Sequence, residues 1–165
     1  NNETLIQLTA LRKITAHAKI QQAIEWVHNA NEQGHKIVIA AHHRNIVQTI
    51  ANETGGLKII GGQNPQQTET DKHKFNTDPN HKNITISITA AAHGHTLNAA
   101  HNMLIIEPPW TPAHYQQTIA RIHRIGQTQP VTIHNLIIPN TIDTHVHNTL
   151  KTKIHLSLIH ISEPT

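Results

Sequence analysis

The sequence predicts an α/β fold of three layers, with a central parallel sheet that is covered by helices on both faces. Short apolar runs of strand length alternate along the chain with longer segments in which apolar residues recur at helical spacing. Strands that alternate with helices imply right-handed crossovers and therefore a parallel sheet. The 165 residues are enough for one domain with a sizeable core.

The first elements can be placed from periodicity and glycines. Apolar residues at i, i+3, i+4 and i+7 predict an amphipathic helix from about Thr15 to Glu32, which Gly34 is placed to end. The apolar run Ile37–Ala41 predicts a buried strand. A second helix is predicted over Arg44–Asn52, stopped by the glycines at 55 and 56.

The remaining elements follow the same alternation. A polar helix is predicted over Gln66–Asn76, anchored by Phe75, and Asn140 and Asp143 resemble a capping box for a final helix that ends near Lys153. Further strands are predicted at Lys58–Ile60, Ile84–Ile88, Met103–Ile106 and Val131–Ile138.

One predicted helix carries two arginines in a chain that is otherwise poor in charge. Thr111 offers an N-cap and Pro112 the first helical position, and the helix is expected to stop near Gly126. Arg121 and Arg124 are three residues apart and so share one helix face, where their guanidinium groups suit a phosphate. The alternative is an ordinary solvated face.

Four segments resemble motifs of the Swi/Snf-type DNA translocases of helicase superfamily two, in the order and spacing of that family over roughly residues 10 to 153. The resemblance is to the carboxyl-terminal RecA-like lobe (P-loop NTPase-like), in the form found in the annealing-helicase-like branch. The segments are Lys36-Ile-Val-Ile-Ala-Ala-His42-His43, Ser87-Ile-Thr89-Ala-Ala-Ala-His-Gly94-His-Thr96-Leu97-Asn-Ala-Ala100, Glu107-Pro-Pro-Trp110-Thr-Pro112 and Gln117-x-x-x-Arg121-x-His123-Arg124-Ile-Gly126-Gln127.

The resemblance implies a role for residues at the carboxyl ends of the strands, where parallel α/β sheets carry their sites. Arg121 and Arg124 are implied to be catalytic arginine fingers. The implied ATP-binding residues are Gln117, Gly94, Arg121 and Arg124, and the implied DNA-binding residues are His42, Thr89, Gly94, Thr96 and Trp110.

The same resemblance implies half of a motor. ATP and Mg²⁺ would be held mainly by a first lobe, because this sequence contains no G-x-x-x-x-G-K-[ST] loop and no acidic box for magnesium. The expected partners are the DNA backbone and that first lobe, and the chain alone is expected not to hydrolyse ATP. Two alternatives remain: a lobe of another superfamily-two enzyme such as an RNA helicase, and a decayed, non-catalytic remnant. Ala92 and His93, which depart from the family pattern, favour the remnant.

Composition adds few constraints. Lys and Arg exceed Asp and Glu by 13 to 10, which permits a polyanionic partner, and the absence of Cys excludes disulfides and thiolate sites. The paired histidines 42–43, 93/95 and 145/147 are not expected to bind metal, because histidine is abundant throughout, with 17 in the chain.

The sequence also bears on the location of the protein and on how the chain is divided. No signal peptide or membrane-crossing run is found, and the expected location is nuclear in a eukaryote, or cytoplasmic and nucleoid-associated in a prokaryote or virus. Residues 1–15 are predicted to be a linker from the first lobe and 16–155 the domain, while 156–165 resemble a translated sequencing adapter.

Overall fold

The computed structural model describes residues 2–91, 94–107, 111–122 and 127–138. Within these residues helices alternate with strands along the chain, as the sequence predicts. The elements are α1 (Asn2–Glu32), β1 (Ile37–Ala41), α2 (Arg44–Thr54), β2 (Leu57–Ile59), α3 (Pro65–Thr77), β3 (Asn83–Ser87), α4 (Ile88–Ala91), β4 (Asn102–Ile105), α5 (Pro112–Ile119) and β5 (Thr132–Asn135).

The strands form one parallel sheet in the order β2-β3-β1-β4-β5. The first strand is central, since Ile39 of β1 lies opposite Thr85 of β3 on one side and Leu104 of β4 on the other. Because all strands run the same way, the residues that follow β3, β1 and β4 emerge side by side at the carboxyl edge.

Two apolar clusters, one on each face, confirm the predicted three layers. On one face α1 and α2 cover Ile37, Ile39 and Leu104, with Val27 and Ile50 among the helix residues. The other face buries Val38, Ile84, Ile86 and Met103 beneath a cluster that includes Phe75 of α3 and Ile122 after α5. The strands are apolar on both faces, as expected for a doubly covered parallel sheet.

Local signals placed several element ends correctly. Gly34 follows α1 with φ 88°, and Gly55 caps α2 with φ 65°, a region that favours glycine. The Gly55 amide donates to the carbonyls of Ala51 and Asn52. Thr111 caps α5 through its side chain, which accepts from the His114 amide, and Pro112 takes the first helical position.

The predicted start of the first helix was wrong. The helix begins at Asn2 rather than near Thr15, and most of its first 14 residues are exposed. Leu5, Ile6 and Ile14 are among its exposed apolar side chains. The apolar repeat identified only the part of α1 that packs on the sheet, because periodicity reports burial rather than helix length. The predicted linker at 1–15 is therefore helical from residue 2 onward.

The end of the arginine helix was also predicted wrongly. α5 ends at Ile119 and gives way to a turn, in which the amides of Arg121 and Ile122 bond back by three residues to Thr118 and Ile119. Ile88, predicted to end a strand, instead begins α4. The other strand ends differ from prediction by at most three residues, and the predicted final helix lies outside the described residues.

No helix in the described ranges is both long and apolar enough to cross a bilayer.

Phe75 offers a test of the core on the α3 face. Its ring is 0% exposed and belongs to the cluster against Ile84 and Ile86. Phe75→Ala should lower the free energy of unfolding by about 3–5 kcal/mol, through lost burial and the cavity that remains. Leu5→Ala, at a position 58% exposed, is the control and should change it by less than about 0.5 kcal/mol. Urea denaturation measures both, and equal effects would contradict the assigned core.

Candidate functional site

The carboxyl edge of the sheet gathers polar residues from three neighbouring strands. His42 and His43 follow β1, Ser87 ends β3 and Thr89 lies two residues later, and Glu107 follows β4. Since β1 pairs with both β3 and β4, these residues emerge from adjacent strands. The predicted convergence at this edge is therefore confirmed for the strand ends.

A buried carboxylate links the end of β4 to the loop after β1. Glu107 is 2% exposed, and its Oε1 accepts from the backbone amides of His42 at 3.1 Å and His43 at 3.0 Å. The Nδ1 atom of His43 lies 2.5 Å from Oε2. Both carboxylate oxygens are therefore used, and the start of α2 is held against β4. Sequence reasoning singled out Glu107 only as part of a motif, because its partners are more than 60 residues away.

Thr89 lies next to the end of β3. It is the second residue of α4, it is exposed, and its hydroxyl lies 2.7 Å from that of Ser87. Ser87 itself is buried. The pair places an exposed hydroxyl at the carboxyl edge, as the sequence predicted for Thr89.

The turn after α5 meets the loop that contains Gly94 and Thr96. The Leu97 amide donates to the Arg121 carbonyl at 2.8 Å, and Nη1 of Arg121 donates to the His95 carbonyl at 3.5 Å. Gly94 is exposed with φ 80°, and a Cβ added to it would lie 3.7 Å from Nη1 of Arg121. The structure therefore brings together Gly94, Thr96 and Arg121 from two separate motifs.

Two amide side chains hold this loop, defined here as the 94–100 loop. Asn76 at the end of α3 donates to the Thr96 carbonyl at 3.0 Å and accepts from the Ala99 amide at 3.3 Å. Nε2 of Gln127 lies 2.7 Å from the carbonyl of Ala100 and 3.2 Å from that of Asn98. These contacts of Asn76 and Gln127 were not predicted, because the sequence does not distinguish an amide side chain that bonds to a loop from one that is solvated.

Arg121 lies after the end of α5 and is buried, so neither the expected position on a helix face nor the alternative of a solvated face describes it. The residue is 5% exposed, and its Nε donates to the Gln117 carbonyl at 2.9 Å. The early end of α5 is the cause, because the following turn directs the guanidinium against the 94–100 loop instead of along a helix face. Gln117 is exposed on α5. Arg124 and Trp110 lie outside the described residues, as do Ala92 and His93.

Burial shifts the pKa values of two titratable groups, one on β5 and one bonded to it. Burial raises the pKa of Tyr115, although a hydrogen bond from Asn135 at 3.2 Å opposes this. Burial lowers the pKa of His134, whose ring lies 4.7 Å from that of Trp26. Both side chains are thus mainly uncharged at neutral pH, and they join α5 and α1 to β5 through packing and hydrogen bonds.

Among the described residues, no group of three or more His, Asp and Glu side chains is arranged to hold a metal ion.

The Glu107 contacts predict a specific loss of stability. Glu107→Ala would leave the His42 and His43 amides without their acceptor, and should lower the free energy of unfolding by about 1.5–3 kcal/mol. Glu53→Ala, at an exposed position on α2, is the matched control and should have little effect. Urea denaturation compares the two variants. A Glu107→Ala protein as stable as the control would show that the carboxylate does not hold this loop.

Comparison with known proteins identifies the lobe. The family model of the helicase conserved C-terminal domain matches residues 18–126. A SWI/SNF-related matrix-associated actin-dependent regulator of chromatin subfamily A-like protein 1 from Xenopus tropicalis is 33% identical over 146 residues, which cover 85% of this chain and 16% of that protein. The human DNA annealing helicase and endonuclease ZRANB3 is 32% identical over 162 residues, or 94% of this chain and 15% of that protein.

A solved structure has the same fold. The C-terminal part of the Fun30 ATPase domain superposes with a TM-score of 0.66 at 24% identity, over 81% of this chain and 45% of that one. The chain spans about one sixth of the length of the curated relatives named above. From the matched family model, the relatives and the parallel five-stranded sheet, the chain belongs to the helicase conserved C-terminal domain family, as a Swi/Snf-type carboxyl-terminal RecA-like lobe of helicase superfamily two.

Proposed function

We propose that this chain is the second motor lobe of an ATP-dependent DNA translocase or annealing helicase. It would grip the DNA backbone at its carboxyl edge and supply arginines to ATP held on a first lobe. The observation that carries the proposal is the meeting of Arg121 with the 94–100 loop, beside the strand ends that carry Thr89 and His42. Because Arg121 is proposed to bind ATP and the 94–100 loop to bind DNA phosphates, their direct contact would allow the two to move together.

The proposed DNA contacts suit a partner that is held by its phosphates. Thr89 and Gly94 are exposed, and His42 and Thr96 are half-buried. Trp110, which lies outside the described residues, is proposed for DNA contact from its motif alone. Phosphate contacts fix the register of a strand without reading its bases, so hydroxyl groups and backbone amides are sufficient. Glu107 accepts hydrogen bonds from the loop after β1, and Asn76 donates one to the 94–100 loop. Because these bonds hold both loops in place, less entropy is lost on binding.

The described residues fit a supplementary phosphate contact rather than a complete nucleotide site. Gly94 has no side chain to obstruct an approach to Arg121, and Gln117 is exposed one turn before that arginine. ATP is the substrate, and Mg²⁺ would supply charge neutralisation on the first lobe. Arg121 donates to the carbonyls of Gln117 and His95 and is 5% exposed, so contact with the γ-phosphate requires the guanidinium to move out of its buried position. Arg124 is proposed as the second finger.

A second candidate is a non-catalytic DNA-binding remnant. The burial of Arg121 favours it, because a buried guanidinium that bonds to backbone carbonyls can stabilise the fold without any role in catalysis. A lobe of an RNA helicase is less well supported, since the relatives include a DNA annealing helicase. The relatives named as regulators of chromatin support a nuclear location if the source is a eukaryote.

Gly94 tests the DNA-binding edge. The chain should bind duplex DNA weakly and without sequence preference, with an affinity that falls steeply as salt rises. Gly94→Glu should weaken binding about tenfold, or about 1.4 kcal/mol, through charge repulsion and bulk. Gly34→Glu is the matched control, because Gly34 is also exposed at positive φ but precedes β1 at the opposite edge. Equal affinities for the two variants, measured by fluorescence anisotropy, would place the DNA site elsewhere.

The arginines are tested by ATP turnover in the full-length protein that includes a first motor lobe. Arg121→Ala and Arg124→Ala should each reduce DNA-stimulated turnover by about 10³-fold or more. Arg124→Lys should fail similarly, because an ammonium cannot bind two phosphate oxygens in the way a guanidinium does. Lys74→Ala, at an exposed position of α3, is the control and should keep normal turnover, and the lobe alone should show no turnover. Near-normal turnover in both alanine variants would refute the finger assignment, and an inactive unsubstituted protein would support the remnant.

A further inference from the structure

Lys19 of α1 is fully buried at the carboxyl edge of the sheet. It is 0% exposed, and its Nζ donates to the Ile106 carbonyl and, at 2.8 Å, to the Leu136 carbonyl. An ammonium group has three N–H donors, so at least two of them are used by the backbone. None of the motifs described above includes this lysine.

The two carbonyls are those at which the parallel ladder stops. The Ile106 amide still donates to the Ala40 carbonyl at 2.9 Å, and the Leu136 amide to the Ile105 carbonyl at 3.0 Å. Ile106 and Leu136 are the first residues after the ends of β4 and β5. Buried carbonyls without a partner are costly, and so is a buried ammonium without acceptors. The Lys19 ammonium therefore supplies donors to the two carbonyls, and the carbonyls supply acceptors to the ammonium.

The position of Lys19 matters because Glu107 directly follows Ile106. Glu107 is the residue whose carboxylate holds the His42 and His43 amides. Lys19 therefore holds the peptide from which that carboxylate projects. A short chain of contacts runs from α1 through the end of β4 to the start of α2.

We propose that Lys19 is a positioning residue, which holds the 106–107 peptide so that Glu107 keeps the His42–His43 loop in its DNA-binding shape. The inference rests on the proposed DNA contact of that loop for its functional consequence, while the structural part stands without it. Removing the ammonium frees the end of β4, and the loop after β1 then opens because Glu107 no longer holds the His42 and His43 amides in place.

Amide hydrogen exchange tests the structural part without DNA. In Lys19→Met, which keeps the length of the side chain, exchange at His42 and His43 should accelerate about tenfold or more, while the amides of Val38 and Ile86 in the sheet change little. Lys13→Met, at an exposed position on the same helix, is the control and should leave all four amides unchanged. Lys19→Gln, which retains a shorter donor, should give an intermediate effect.

Uniform acceleration across the sheet in Lys19→Met and Lys19→Gln, or failure of both to fold, would overturn the proposal. Either result would mean that the lysine supports the whole fold rather than one loop. Unchanged exchange at His42 and His43 would overturn it as well.

A double-mutant cycle with Glu107→Gln tests the functional part. Lys19→Met and Glu107→Gln should each weaken DNA binding by about the same factor, and the double variant should bind no more weakly than either one. Additive losses would show that the two residues act separately. If the unsubstituted chain does not bind DNA, the proposed function fails, whereas localised exchange at His42 and His43 would still support the positioning role.

Discussion

The architecture of the carboxyl edge depends on the buried carboxylate of Glu107. Strand pairing brings β1 and β4 side by side, but pairing alone leaves the loop after β1 without partners for its amides. Glu107 accepts from the amides of both His42 and His43 and contacts the His43 ring, so the start of α2 is joined to the end of β4. A carboxyl group buried to this extent is tolerated because both of its oxygens have partners. The loop is consequently presented in one shape rather than many.

The 94–100 loop is organised in the same way, by polar groups that come from far along the chain. Asn76 reaches it from α3, Gln127 from beyond the turn after α5, and Arg121 from within that turn. Residues proposed for DNA binding and for ATP hydrolysis therefore share one hydrogen-bonded region. The guanidinium of Arg121 bonds to the His95 carbonyl, and the Arg121 backbone carbonyl accepts from the Leu97 amide, so this residue contacts the 94–100 loop through both its side chain and its backbone.

Much of the fold was predictable because it follows from local physics. Apolar runs of strand length and helical repeats located the strands and the packed parts of the helices, and Gly55, Thr111 and Pro112 marked ends through backbone geometry and capping. The errors concern the ends of two helices, which the apolar pattern did not mark. α1 continues to Asn2 on exposed residues, and α5 stops at Ile119 although the sequence predicted a helix that ends near Gly126.

The sequence by itself determined the fold class, the central strands, and which residues follow their carboxyl ends. These depend on periodicity and on the parallel sheet that alternation requires. Tertiary structure alone decided that Arg121 is buried, that Lys19 is enclosed at the end of β4, and that Glu107 serves the loop after β1. The physical reason is that a charged side chain gives no local sign of its partner. Its environment is set by hydrogen bonds to carbonyls and amides tens of residues away, which exist only once the chain has folded.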